Sequence, residues 1–201
     1  SLDHLRRRLA QDRHLISEDH FNFLWVIDFP LSNLLHSGIE RIAILSQYRS
    51  YSLINHIGTG AAWDMIGRNR GISILPPFKD YENPHWYRGS ADAVFQNIDF
   101  IQYYGPSVVL ILSGDHIYQM DYRKLIRYHN EHDADLTATF IEVDPSSASR
   151  FGVAEIADDF TDGGRLLSYE EKPAEPKLIP GLTDRCLGSM GIYIFNAKFL
   201  Y

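Results

Sequence analysis

The stretch Ser107-Val-Val-Leu-Ile-Leu-Ser-Gly-Asp115 decides the fold. Its run from Val108 to Leu112 is apolar on both faces, as expected of a central strand in a parallel sheet covered by helices on each side. The run then stops at Ser113-Gly-Asp115. In open α/β sheets, ligands bind outside the carboxyl ends of the strands. Asp115 therefore stands where a carboxylate can hold a divalent cation against phosphates, and Gly114 where another group can approach the backbone. The same pattern also fits a turn aspartate that caps the next helix. His116 reads more readily as a packed or half-exposed histidine than as a metal ligand.

Upstream of this strand, residues 89–104 predict a helix, with Ala93, Ile98 and Ile101 near one apolar stripe, leading out through Gly105-Pro106. Residues 58–83 are mostly loop, with a short strand near 72–75. Residues 41–46 predict a strand and 50–56 a short helix. Pro30 opens a helix that Gly38 ends, and residues 23–29 read as a buried strand before it. Residues 2–16 predict a helix with Leu2, Leu5, Leu9 and Ile16 near one face. Downstream come a helix at 122–132, a strand at 135–142, and shorter strands at 152–156, 165–171 and 191–195. This alternation predicts an α/β fold: a doubly wound, largely parallel, Rossmann-like sheet with an appended β subregion.

Bulk composition narrows the class. With 201 residues, 45% hydrophobic and 22% charged, the chain reads as one globular domain with a large core. The single cysteine, Cys186, excludes an internal disulfide and a thiolate metal cluster, which fits a reducing cytoplasm. A net charge of −7 argues against nucleic acid as a partner. No apolar run approaches the roughly 20 residues needed to span a bilayer, so no membrane partner is expected.

Eight segments carry a wider resemblance: Ile27-Asp-Phe-Pro-Leu-Ser-Asn33, Ser37-Gly-Ile39, Ser46-Gln-Tyr48, Trp86-Tyr-Arg-Gly-Ser-Ala-Asp-Ala93, Gly114-Asp-His-Ile-Tyr118, Phe151-Gly-Val153, Glu170-Glu-Lys-Pro173 and Gly188-Ser-Met-Gly-Ile-Tyr193. In this order they resemble the successive motifs of ADP-glucose pyrophosphorylases, within the sugar-nucleotide transferases. The match runs from about Val26 to Tyr201, so residues 26–201 are expected to be a catalytic domain, incomplete at both ends, behind a divergent segment 1–25.

The resemblance implies that AMP passes from ATP to glucose 1-phosphate, giving ADP-glucose and pyrophosphate for glycogen or starch synthesis. It makes Asp115 a catalytic residue and a Mg²⁺ ligand, with the family's second metal-binding acid expected beyond Tyr201. Gln47, Trp86, Gly89, Ser90 and Gly114 become nucleotide-binding candidates. Gly152, Glu171, Lys172 and Ser189 become sugar-phosphate-binding candidates, with Lys172 also catalytic through the phosphate. On charge alone Glu170-Glu171-Lys172 is a solvated strand end, Gln47 a polar strand end, Trp86 core packing and Arg88 half of a surface ion pair. The resemblance further implies a homo-oligomer for the full-length protein.

The first 25 residues depart from the pattern. The family opens with a strand and a glycine-rich, arginine-containing loop whose amides hold the triphosphate. Here no glycine precedes Gly38, and Trp25 stands where the family has an arginine. Little or no catalysis is therefore expected from this chain taken alone. A regulatory or sugar-phosphate-binding paralogue, and an enzyme for another nucleotide or sugar phosphate, stay open as alternatives.

Overall fold

A computed structural model describes residues 26–47, 50–67, 70–77, 86–157 and 163–201. The helix expected at 2–16 and the first part of the strand expected at 23–29 lie outside them. The remainder of that strand is corrected: Val26 and Ile27 form a turn, and helix α1, Asp28–His36, starts there. Its first turn accommodates Pro30, whose missing N–H needs no partner at that position. At the other end Gly38 takes φ +70°, its N–H donates to Leu35 O at 3.0 Å and the Ile39 N–H to Leu34 O at 3.0 Å. This Schellman arrangement stops the helix and turns Ile39 back onto the core.

Two sheets follow. Strands β1 (Arg41–Leu45) and β2 (Gly71–Leu75) pair in parallel, in register from Arg41↔Gly71 to Leu45↔Leu75, with helix α2 (Ser50–Ile57) between them in sequence. The second sheet holds β3 (Val108–Leu112), β4 (Leu136–Val143), β5 (Gly152–Ile156), β6 (Leu166–Glu171) and β7 (Cys186–Asn196). Tyr193, Ile194 and Phe195 of β7 pair with β3 on one side and β4 on the other, both antiparallel. The two flanking strands thus run in the same sense. β5 meets β7 at Gly188 and Leu187, and β6 adds to β5 as the expected β subregion. β7 starts five residues before the predicted strand at 191–195. Gly188 permits this, because a Cβ there would lie 3.1 Å from Val143 and 3.3 Å from Phe151.

The helix expected across 89–104 is two helices, α3 (Ser90–Phe95) and α4 (Ile98–Tyr104). Asn97 breaks it: its side-chain amide donates to Ala93 O at 2.8 Å and to the Tyr87 hydroxyl at 2.9 Å, competing with the helical ladder. Helix α5, Tyr122–Glu131, has Asp121 as its cap, accepting from the Arg123 N–H.

One core ties the halves together. Leu31 and Leu34 of α1, Ile42 of β1, Ile57, Trp63, Met65 and Tyr122 are buried in contact, and Leu110 and Leu112 of β3 pack against them. Asn33 on α1 reaches across, donating to Tyr118 O at 2.9 Å and accepting from the Met120 N–H at 3.4 Å. No described helix is long and apolar enough to cross a membrane.

Candidate functional site

The sugar-phosphate candidates gather on β5, β6 and β7. Gly152 lies opposite Glu171 in the β5–β6 ladder. Two residues along β6, Tyr169 leans its ring over Gly152: a Cβ there would sit 1.7 Å from the phenol oxygen and 2.2 Å from Cζ. A side chain at 152 would therefore expel the ring. The Tyr169 hydroxyl donates to Glu171 Oε2 at 3.2 Å, and Lys172 Nζ stands 3.8 Å from Glu171 Oε1. On β7 the Ser189 and Tyr193 hydroxyls are 3.0 Å apart. Burial first, and then the neighbouring Tyr193 hydroxyl, push the Tyr169 phenol above its ordinary range. Ser189 and Tyr193 of β7 and Tyr169, Glu171 and Lys172 at the end of β6 thus form a continuous polar row, with β5 between the two strands.

Lys172 closes β6 in the left-handed region, φ +51°, where a non-glycine residue persists only if its surroundings hold it. Its N–H donates to Phe151 O at 2.9 Å, and the next residue, Pro173, is buried. The ammonium stays accessible, with its side chain 62% exposed.

Asp115 projects from the turn after β3. The Ser113 N–H bonds Gly191 O at 3.2 Å, holding the strand tip on β7, and the Ser113 hydroxyl donates to Asp115 Oδ1 at 2.5 Å. The carboxylate is 66% exposed and heads no helix, since Asp121 caps α5, so the capping alternative falls away. Asp121 itself is held down to about 2 by the Arg123 guanidinium. His116 Nε2 lies 3.9 Å from Asp115, beyond a hydrogen bond. Gly191, at φ +66°, links this turn to the polar row. A Cβ there would sit 3.4 Å from both His116 and Ser113, and its N–H donates to Ser189 Oγ at 3.1 Å. Among the described residues no hydrogen bond or ion pair joins Asp115 to Lys172 directly.

The nucleotide candidates gather separately, at the tips of β1 and β2. The Leu75 carbonyl accepts from the Ser46 N–H at 3.1 Å and from the Tyr87 hydroxyl at 3.2 Å. That shared carbonyl brings exposed Gln47 beside the turn that carries Trp86, Gly89 and Ser90. Trp86 is 47% exposed, so it is not core packing. Gly89 precedes α3 with open space where a Cβ would point. Arg88 is a surface side chain whose guanidinium lies 3.7 Å from Asp92, as the bland reading had it. Gly114 adjoins Asp115 and lines the same cavity as Ser90, and a Cβ there would lie 3.3 Å from Ile27.

Three residues escaped the sequence reading: Ser113, Tyr169 and Tyr193. Period-two spacing carried a signal for the tyrosines, since Tyr169 shares a strand face with Glu171. Ser113 was visible only as the end of an apolar run.

The donor set suits a hard cation in a limited way. Among the described residues no group of three His, Cys, Asp or Glu could cage a metal. Mg²⁺ commonly takes one or two carboxylates with phosphate and water, and one accessible carboxylate at a strand tip fits that role.

A family model for nucleotidyl transferases matches residues 20–201. The chain is 48% identical over 175 residues to a glucose-1-phosphate adenylyltransferase of Rhodopseudomonas palustris (strain TIE-1), covering 87% of this chain and 41% of that protein. Proteins of the same name from Clostridium botulinum (strain Eklund 17B / Type B) and Shewanella oneidensis are each 47% identical, over 87% and 88% of this chain. The chain spans about two fifths of the length of these curated relatives.

Proposed function

Because the chain belongs to the nucleotidyl transferase family, we propose that it is the catalytic-domain portion of an enzyme that makes ADP-glucose and pyrophosphate from ATP and glucose 1-phosphate. A phosphate oxygen of the sugar phosphate attacks the α-phosphorus of ATP in line, and pyrophosphate leaves. Such transfer depends on positioning and on charge neutralisation rather than on covalent help from the protein.

The observation that carries this reading is the polar row from Ser189 to Lys172, joined at Gly191 to the Asp115 turn. Lys172 offers a compact charge and three donors to the sugar's phosphate, and Glu171 accepts from sugar hydroxyls. Gly152 and Ser189 shape the same pocket. Asp115 would hold Mg²⁺, which when bound neutralises charge on the triphosphate. Gln47 and the turn at Trp86, Gly89 and Ser90 contact the adenine. The names of the relatives favour ATP and glucose 1-phosphate over other substrates. A cytoplasmic setting and a role in glycogen or starch synthesis are part of the proposal. A homo-oligomer remains part of the proposal for the full-length protein.

The test is pyrophosphate-dependent breakdown of ADP-glucose in the presence of Mg²⁺, with glucose 1-phosphate binding measured in parallel. Asp115→Asn is expected to lower turnover by about a hundredfold or more, the scale of losing one preorganised electrostatic contact to the transition state. Turnover unaffected by that change overturns the assignment. Sugar-phosphate binding without turnover is the alternative, which the names of the relatives do not favour. Binding of glucose 1-phosphate with no ADP-glucose breakdown selects it.

A further inference from the structure

Helix α1 lies along the segment that carries Asp115. At its N-cap, Ile27 meets Gly114, where a Cβ would sit 3.3 Å from the Ile27 side chain. Further along, the Asn33 amide donates to Tyr118 O at 2.9 Å and accepts from the Met120 N–H at 3.4 Å. At its C-cap, the Ser37 hydroxyl accepts from the buried Tyr122 N–H at 2.9 Å. These contacts follow in chain order on both sides, so the helix braces the chain from the tip of β3 to the start of α5.

Little else holds this segment. Among the described residues no backbone–backbone hydrogen bond involves residues 114–120, and the bonds their backbone groups do make go to the Asn33 amide. The near end is pinned by the Ser113 N–H on Gly191 O and the far end by Asn33, with Asp115 between them. Asn33 is itself unusual for its position. The other buried residues of α1 are Pro30, Leu31 and Leu34, whereas Asn33 is polar and only 7% exposed. Asparagine is a poor helix former because its side chain competes for backbone groups. Here the amide presents a donor and an acceptor together, matched to the carbonyl and the N–H of the facing segment. An aspartate would lack the donor, and a leucine would offer neither.

We propose that Asn33 is a positioning residue: by fixing Tyr118 and Met120 it sets where the Asp115 carboxylate stands, and so how tightly that carboxylate holds a divalent cation. The inference rests on the reading of Asp115 as the cation's ligand. Groups that orient a metal's ligand from behind govern affinity without touching the metal.

The probe is Mn²⁺, whose binding to the full chain in the presence of ADP-glucose is followed by electron paramagnetic resonance, with glucose 1-phosphate binding measured alongside. Asn33→Ala is expected to weaken Mn²⁺ binding by about tenfold or more, the scale of losing a group that orients a metal ligand. Glucose 1-phosphate binding should hold. Asn33→Ser keeps a polar group but stops one bond short of both partners, so the same loss is expected from it, and it is read if the alanine variant does not fold. Thr137→Val is the comparison, because it breaks a different buried hydrogen bond, the 2.8 Å contact between Thr137 and His129. It should leave Mn²⁺ affinity unchanged. Asp115→Asn supplies the reference. Mn²⁺ binding untouched by that change, or absent from the unaltered chain, removes Asp115 as the ligand and the inference with it. Binding abolished by Asp115→Asn but unaffected by the Asn33 variants overturns the positioning role alone. Equal loss of Mn²⁺ and glucose 1-phosphate affinity, or the same Mn²⁺ loss from Thr137→Val, also overturns it, because Asn33 then acts only through general stability.

Discussion

The two sheets solve the same problem differently. In the five-stranded sheet, β7 bonds three neighbours, and the polar row from Ser189 to Lys172 rides on that continuous ladder. In the two-stranded sheet, the candidates Gln47 and Trp86 depend on a single carbonyl, Leu75, and on a tyrosine–asparagine tie behind it. Residues borne by a closed ladder are positioned by many backbone bonds. Residues borne by an open pair are positioned by side chains, and are more easily lost.

The harshest way to break this contrast attacks what the halves share. Leu31 is 1% exposed in the core that joins α1, β1 and β3. Leu31→Ala is expected to destabilise by about 2–5 kcal/mol through lost burial and the cavity left behind. In urea denaturation, amides of β1 and β7 should lose protection together. Separate loss shows that the halves are independent units.

Within the closed ladder, Gly152→Ala drives the Tyr169 ring from its seat, an overpacking of about 1–3 kcal/mol. Because that ring orients Glu171, the KM for glucose 1-phosphate should rise while the KM for ATP holds. Equal changes in both would erase the spatial division of the site. In the open half, Asn97→Ala removes the amide that fixes Tyr87, a loss of about 1 kcal/mol. Its signature is the converse: weaker ATP binding with glucose 1-phosphate unaffected.

The same contrast explains what was legible in the sequence. Strands with short apolar runs, such as β1, β3 and β5, were legible as strands because their local composition favours extended, paired backbone. The break between α3 and α4 did not read, because a side-chain bond of Asn97 to a residue ten positions away decides it. The start of β7 did not read either. There Gly188 is chosen for close contact with Val143 and Phe151, which only the assembled sheet reveals. Candidate site residues were found through motifs, whereas the connecting tyrosines, which hold those candidates in relation to one another, needed coordinates. The run 108–112 reads as a central strand covered on both faces, whereas among the described residues each of its side chains is half-exposed.

The smallest effect separates two tyrosine pairs by pH. Tyr118 and Tyr122 have hydroxyls 2.7 Å apart at the core joining the halves, and Tyr169 adjoins Tyr193 in the polar row. Burial raises Tyr118, Tyr122 and Tyr169 above the free-phenol value of 10.0. A group whose folded pKa is raised contributes stability that is fully present below its unfolded value and is lost as pH rises toward the folded one. The melting temperature should therefore hold steady up to about pH 10 and fall above it, since the unfolded chain then ionises its phenols first. Tyr118→Phe and Tyr169→Phe should each flatten that alkaline fall by removing one titrating group, and the two effects should add, because the pairs share no partner. Only Tyr169→Phe should also shift glucose 1-phosphate affinity, since its hydroxyl alone reaches Glu171. An affinity shift of equal size from Tyr118→Phe would mean that the core pair and the polar row act as one network, and the division between the two sheets would not extend to their chemistry.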